Sequence, residues 1–239
     1  DLQVKLVNDG YTLPHGSVSA DALPSWARWR NEAFGFTFEP AVMVFNRAAM
    51  GDRTIPQSRA ELIDQIRRDP EFWRSRIGTY DISKSSVGYL LASQDVRLSN
   101  EFGALVEALG DVDLQVEENT STLLERIESG DLVAGYNLLG SYARARPDSN
   151  RNFLLVYPRD HTVVLSRTVV IARNAPNPAL AHKFLDYLLS VRGQRVMAAR
   201  CGLPPIRKEL DGVYERLGVN ESQIGVLRPL SLGTGLLVY

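Results

Sequence analysis

Three short stretches hold the residues of this chain best suited to chemistry. "SKSSVG" places Ser83, Ser85 and Ser86 after "GTYDI"; "NTST" places Asn119, Thr120, Ser121 and Thr122 after "LQVEE"; "GYNLLGSY" carries Tyr136, Asn137, Ser141 and Tyr142. In the first two, a strand-like run ends in small hydroxyl or amide residues that then open a helix. Helix N-termini expose unpaired backbone N–H groups and the positive end of the helix dipole, so such residues there can grip a carboxylate, a phosphate or an oxyanion. In open α/β sheets ligands lie beyond the carboxyl ends of strands, which is where these turns sit. Ser, Thr and Asn are also the usual helix caps, and capping alone explains each turn taken singly. It does not explain Asn137 or the two tyrosines, which offer apolar walls with a few placed polar atoms. Binding and capping stand as alternatives on this evidence.

Catalytic and metal-binding patterns are weak. His15, His161 and His182 lack metal-ligand spacing, and His182, on an amphipathic helix, is expected at the surface. The sequence contains no GxSxG elbow, Walker A loop, GxGxxG or HExxH. Glu117 and Glu118 read as solvated charge rather than an acid–base pair. Cys201 is the only cysteine, so neither an internal disulfide nor a cysteine-rich zinc site can form, and it reads as a small buried hydrophobe. The expectation is a binding protein and not an enzyme, with no cofactor and no metal.

A chain of 239 residues with 44% hydrophobic content is enough to bury a real core, as one large domain or two smaller ones. A formal net charge of −1 with interspersed signs gives no electrostatic footprint for nucleic acid. No apolar run reaches the roughly 18–20 residues that span a bilayer, so no transmembrane segment is expected.

Helix-like and strand-like segments alternate, which predicts an α/β protein. In "FGFTFEPAVMVFN", Phe34, Phe36 and Phe38 recur at period two before the buried run Val42 to Phe45. Ser58 and Glu61 have capping-box spacing ahead of Leu62, Ile63 and Ile66, and Pro70 ends or kinks that helix. Leu105, Val106 and Leu109 mark a helix face closed by Gly110 as a left-handed cap; Leu123, Leu124 and Ile127 mark another, stopped by Gly130. Ser166 and Arg167 interrupt the apolar run "TVVLSRTVVIARN". Asn177 and Pro178 open a long amphipathic helix with Leu180, Phe184 and Leu188 on one face, continuing towards Met197.

The order of these motifs resembles the periplasmic solute-binding proteins of ABC importers, specifically the type 2 cluster that includes the ferric-iron-binding proteins. The resemblance rests on "LVNDGY", "PAVMVFNR", "RAELIDQI", "IGTYDISKSSVGYLLASQD", "ERIESGDLVAGYNLLGSYA" and "APNPALAHKFLDYLLSVRGQRVMA", which together cover most of the chain. It implies two α/β lobes joined by crossing strands near Val42–Arg47 and Val164–Ile171, with the ligand held in the cleft. Residues 1–46 and 165–239 are then expected to form lobe 1, and 47–164 lobe 2. The family pattern also implies that the usual N-terminal segment and C-terminal helix are absent, the chain ending at "GLLVY". Iron-binding members carry adjacent tyrosines, hard phenolate ligands, after the strand matching "DLVAGY". Leu139 and Gly140 stand at that pair here, so ferric iron is disfavoured.

The resemblance thus implies capture of a small, anionic solute by a monomeric periplasmic protein whose leader is absent from this sequence. The expected ligand-facing residues are Ser83, Ser85, Ser86, Asn119, Thr120, Ser121, Tyr136, Asn137, Ser141, Tyr142 and Arg167. Arg167 has two open roles, pairing a ligand carboxylate or forming a hinge salt bridge. The partner is an ABC permease or, if the protein senses rather than transports, a membrane sensor kinase.

Overall fold

The apolar run from Pro40 to Phe45 lies within a strand, Glu39–Asn46, that is buried along its whole length, as an interior strand covered on both faces must be. In the computed structural model, which describes residues 2–146, 152–210 and 224–237, the chain divides into two units, with one boundary at the start of this strand. One unit comprises Asp1–Glu39, Val164–Glu221 and Pro229–Tyr239; the other comprises Pro40–Val163 and Ser222–Arg228. Val238 and Tyr239 of the terminal "GLLVY" lie outside the described residues.

The first unit begins with α1 (Leu2–Asn8), β1 (Thr12–Leu13), α2 (Val18–Asp21), β2 (Arg28–Trp29) and β3 (Ala33–Gly35). β4 (Glu39–Asn46) leads into the second unit, which continues with α3 (Arg47–Met50), α4 (Arg59–Arg68), α5 (Pro70–Trp73), β5 (Ile77–Tyr80), α6 (Ser86–Leu98) and α7 (Phe102–Asp111). Next come β6 (Gln115–Glu117), α8 (Thr120–Ser129), β7 (Ala134–Leu139), α9 (Gly140–Arg144), β8 (Phe153–Val156) and β9 (Thr162–Leu165). β10 (Thr168–Ala172), α10 (Pro178–Leu189) and α11 (Val191–Cys201) return to the first unit, and β11 (Leu227–Pro229) follows. The predicted interruption at Ser166 and Arg167 therefore separates β9 from β10.

In the first unit a four-stranded antiparallel sheet runs β1-β10-β3-β2. Phe34, Ile171, Leu185, Leu189 and Ile206 pack together as its core. Gln194, wholly buried, donates through Nε2 to the carbonyls of Phe36 at 3.0 Å and Leu188 at 3.1 Å, while its Oε1 accepts from Ile206 N at 2.9 Å.

In the second unit the strand order is β11-β9-β4-β7-β5-β6, with β8 also paired to β4. β5 runs parallel to both β6 and β7, while β4 is antiparallel to β7 and β8. Phe45, Leu62, Ile66, Trp73, Ile77 and Leu105 lie in one buried cluster beneath α4 and α7.

Local sequence rules set most helix ends. Ser58 accepts from Glu61 N at 3.2 Å, and the Glu61 carboxylate accepts from Gln57 N at 2.8 Å, so the box closes one residue earlier than its spacing implies. Asp69 ends α4 and caps α5, with Pro70 in its first turn. Gly130 takes the left-handed conformation after α8, and Asn177 caps α10 ahead of Pro178.

Three helix expectations are corrected. Gly110 lies inside α7, and the left-handed residue beyond the helix is Asp113. The long helix after Asn177 breaks at Ser190, whose extended backbone ends α10 and whose hydroxyl caps α11. The buried face of α10 is set by Leu185 and Leu189; Leu180 and Phe184 are exposed, because the helix presents the neighbouring stripe to β10. At the break, a Cβ on Gly193 would fall 1.9 Å from the Tyr187 carbonyl oxygen, which only glycine avoids.

Candidate functional site

The parallel pairing of β7, β5 and β6 decides where the polar turns lie. α9, α6 and α8 begin directly after these three strands, so all three strand-to-helix junctions stand at one edge of one sheet. Tyr80, the last residue of β5, ties them together: its hydroxyl lies 2.6 Å from Thr120 Oγ1 at the start of α8 and accepts from Leu139 N, ahead of α9, at 3.4 Å. Lys84 adds a bridge between the first two junctions, 3.2 Å from Glu118 and 3.9 Å from Asp81.

Within this edge the named side chains have different employments. Ser85 caps α6 through Gly88 N at 3.2 Å, and Asn119 caps α8 through Thr122 N at 3.0 Å. Ser83 is exposed, and both its N–H and its hydroxyl donate to Asp81 Oδ1. Ser86 is exposed in the first turn of α6. Ser121 is half-buried and its carbonyl accepts from Arg146. In α9, Ser141 is buried and Tyr142 is exposed.

Tyr136 and Asn137 point elsewhere, into a buried polar network. Opposite Met43 of β4, β7 carries one extra residue: Val42 pairs with Leu138 and Val44 with Gly135, leaving Tyr136 and Asn137 facing a single position. Asn137 absorbs this bulge with φ of 59°, a left-handed conformation that asparagine tolerates better than most residues. Its Nδ2 donates to Asp95 Oδ2 at 2.6 Å, and the Tyr136 hydroxyl donates to the same oxygen at 2.7 Å. The other oxygen, Oδ1, receives Arg59 Nη2 at 2.9 Å and faces His161 Nε2 at 3.0 Å. Arg59 also donates to Tyr136 Oη, Asp160 Oδ2 and the His161 carbonyl. Burial pushes the Tyr136 phenol well above its ordinary range, so it stays protonated as a donor. Burial alone would also raise the Asp95 carboxyl, but His161, Arg59, Tyr136 and Asn137 outweigh it and hold it below the usual value. The bulge in β7 is thus built around an internal carboxylate.

Sequence reading missed Arg59, Asp95, Asp160, His161 and Tyr80. One signal was present: Gly88, Leu91 and Asp95 occupy the buried stripe of α6 at helical spacing, an acid where an apolar residue belongs.

Arg167 belongs to the first unit, the other ten residues to the second. Its partner is internal: Nε is 2.7 Å from Glu39 Oε1 and Nη2 3.3 Å from Oε2, a bidentate pair with a carboxylate only 2% exposed. Thr37 joins them, donating to Glu39 and accepting from Arg167 N. His182 departs from its expected surface position: it is half-buried and stacks on His15, with the two Nδ1 atoms 2.8 Å apart and His15 Nε2 3.1 Å from Asp186. Cys201, expected to be buried, is exposed at the end of α11. Among the described residues no three His, Cys, Asp or Glu side chains are grouped to hold a metal ion, and no helix is long and apolar enough to cross a membrane.

The family model for bacterial extracellular solute-binding proteins matches residues 1–216. The chain belongs to that family. A substrate-binding protein of an ABC transporter from Agrobacterium tumefaciens is 35% identical with a TM-score of 0.87, the alignment covering 100% of this chain and 70% of that one. Iron-bound HitA from Pseudomonas aeruginosa, 18% identical, shares the fold with a TM-score of 0.69 over 86% of this chain and 66% of that one. A two-component system protein described as mediating signal transduction is similar at 19% identity and a TM-score of 0.72, over 91% and 71%. No protein of curated function matches the chain. As an extracellular solute-binding protein of ABC-transporter type, the chain has the mixed α/β fold that its motif order implied.

Proposed function

We propose that this solute-binding protein captures a small anionic solute at the shared edge of β7, β5 and β6 and delivers it, unchanged, from the periplasm to an ABC permease. One observation carries the reading: the starts of α6 and α8 lie side by side, joined through Tyr80, with a third junction beside them. Two helix dipoles of ten or more residues then point their positive ends towards one region. Exposed Ser86 and half-buried Ser121 are the hydroxyls best placed to contact the solute, since Ser85, Asn119 and Thr120 already serve caps and the Tyr80 bond.

A thermal-shift screen with carboxylates, phosphate, sulfonates, polyamines and ferric iron tests it. An anion at a hundred times its dissociation constant adds about 2.7 kcal/mol of apparent stability. Ser86→Asp places a carboxylate in the first turn of α6, where it favours the helix yet repels an anion. The expected result is an intact fold with anion binding weakened at least tenfold. Stabilisation by polyamines or ferric iron alone would overturn the anionic reading, and turnover of the stabilising ligand would overturn delivery unchanged. Copurification with a sensor kinase in place of a permease would redirect the partner.

A further inference from the structure

The second unit carries an open-mouthed cavity of about 260 Å³ between α6, α7 and the β5–β6 part of the sheet. Gly88 and Ala92, four residues apart on α6, border it with the smallest side chains of that helix. Gly88 cannot be enlarged, since its Cβ would lie 2.3 Å from that of Tyr80. Phe102, Leu105 and Leu109 of α7 supply much of the opposite wall. Ile82, Val106 and Val116 also border the space and are 55%, 51% and 51% exposed, so its rim is apolar as well.

Two carboxylates border the space, and both are engaged. Both Asp95 oxygens carry the hydrogen bonds described above, and Asp81 Oδ1 accepts from Ser83. Neither leaves a cation directed at an incoming anion, and their negative charge disfavours one. An apolar cavity of roughly 150 Å³ is enough to take up benzene. We propose that this cavity, which shares Tyr80 and Asp81 with the strand-to-helix edge, is a binding site for a small uncharged apolar molecule built on one or two rings.

The test uses the full chain with toluene, indole and benzoate as probes, followed by saturation-transfer NMR and thermal shift. Saturable binding of toluene or indole that raises the melting temperature is expected, with benzoate at least tenfold weaker. Ala92→Leu fills the space from α6 and should abolish indole binding while keeping or raising the melting temperature. Val106→Trp, at a half-exposed rim position, should likewise block entry and serves if Ala92→Leu fails to fold. Absence of saturable binding to the unmodified chain, undiminished binding in the folded variant, or benzoate binding as tightly as toluene would overturn the proposal.

Discussion

Arg59 Nη2 and Asp95 Oδ1 lie 2.9 Å apart with 1% and 0% of their side chains exposed. Removing either partner breaks a buried pair, which costs about 3–5 kcal/mol; after loss of Asp95 the Arg59 guanidinium keeps only the partly exposed Asp160 carboxylate. Asp95→Ala and Arg59→Ala should each lose stability in that range in urea titrations. Their double replacement should cost less than the sum, because the second change removes the stranded charge.

The same carboxylate gives the acid limb of stability a cause. Asp95 is held below its ordinary value, so its contribution is fully present above the unfolded value of about 3.9 and is lost as pH falls through the lower folded value. The urea midpoint of the unmodified chain should therefore drop below about pH 4. Asp95→Asn should start lower at pH 7 and show a shallower acid decline.

Asn137 separates backbone strain from hydrogen bonding. Asn137→Gly keeps the left-handed conformation available and loses only the amide bond to Asp95. Asn137→Ala loses the bond and adds about 1–2 kcal/mol of left-handed strain. Alanine should be the more damaging of the two by that margin in equilibrium unfolding.

Local rules were legible in the sequence and distant pairings were not. Ser58, Asn119, Gly130 and Asn177 act on backbone groups within a turn of themselves, so residue type and spacing sufficed to place them. The meeting of three junctions also followed from strand-to-helix order once β5, β6 and β7 proved parallel neighbours. The Asp95 network joins α4, α6, β7 and the turn before β9, and no local pattern announces partners 36 to 66 positions away. The face of α10 was misread because Leu180, Phe184 and Leu188 form a stripe as regular as the one that is buried. Packing against β10 chose between them.

Gly193 offers the sharpest steric test. A methyl group there would meet the Tyr187 carbonyl at 1.9 Å, and the obstacle is backbone. Gly193→Ala should cost at least the upper part of the about 1–3 kcal/mol typical of overpacking. Circular dichroism of the variant should show helix loss if the α10–α11 turn opens in response.

Gln194 spans three stretches of chain with one neutral amide. With a single cysteine in the sequence, no covalent cross-link within the chain can do that job. The ties at this point are indifferent to thiol reagents and carry no formal charge, so neither reducing conditions nor moderate salt should loosen them.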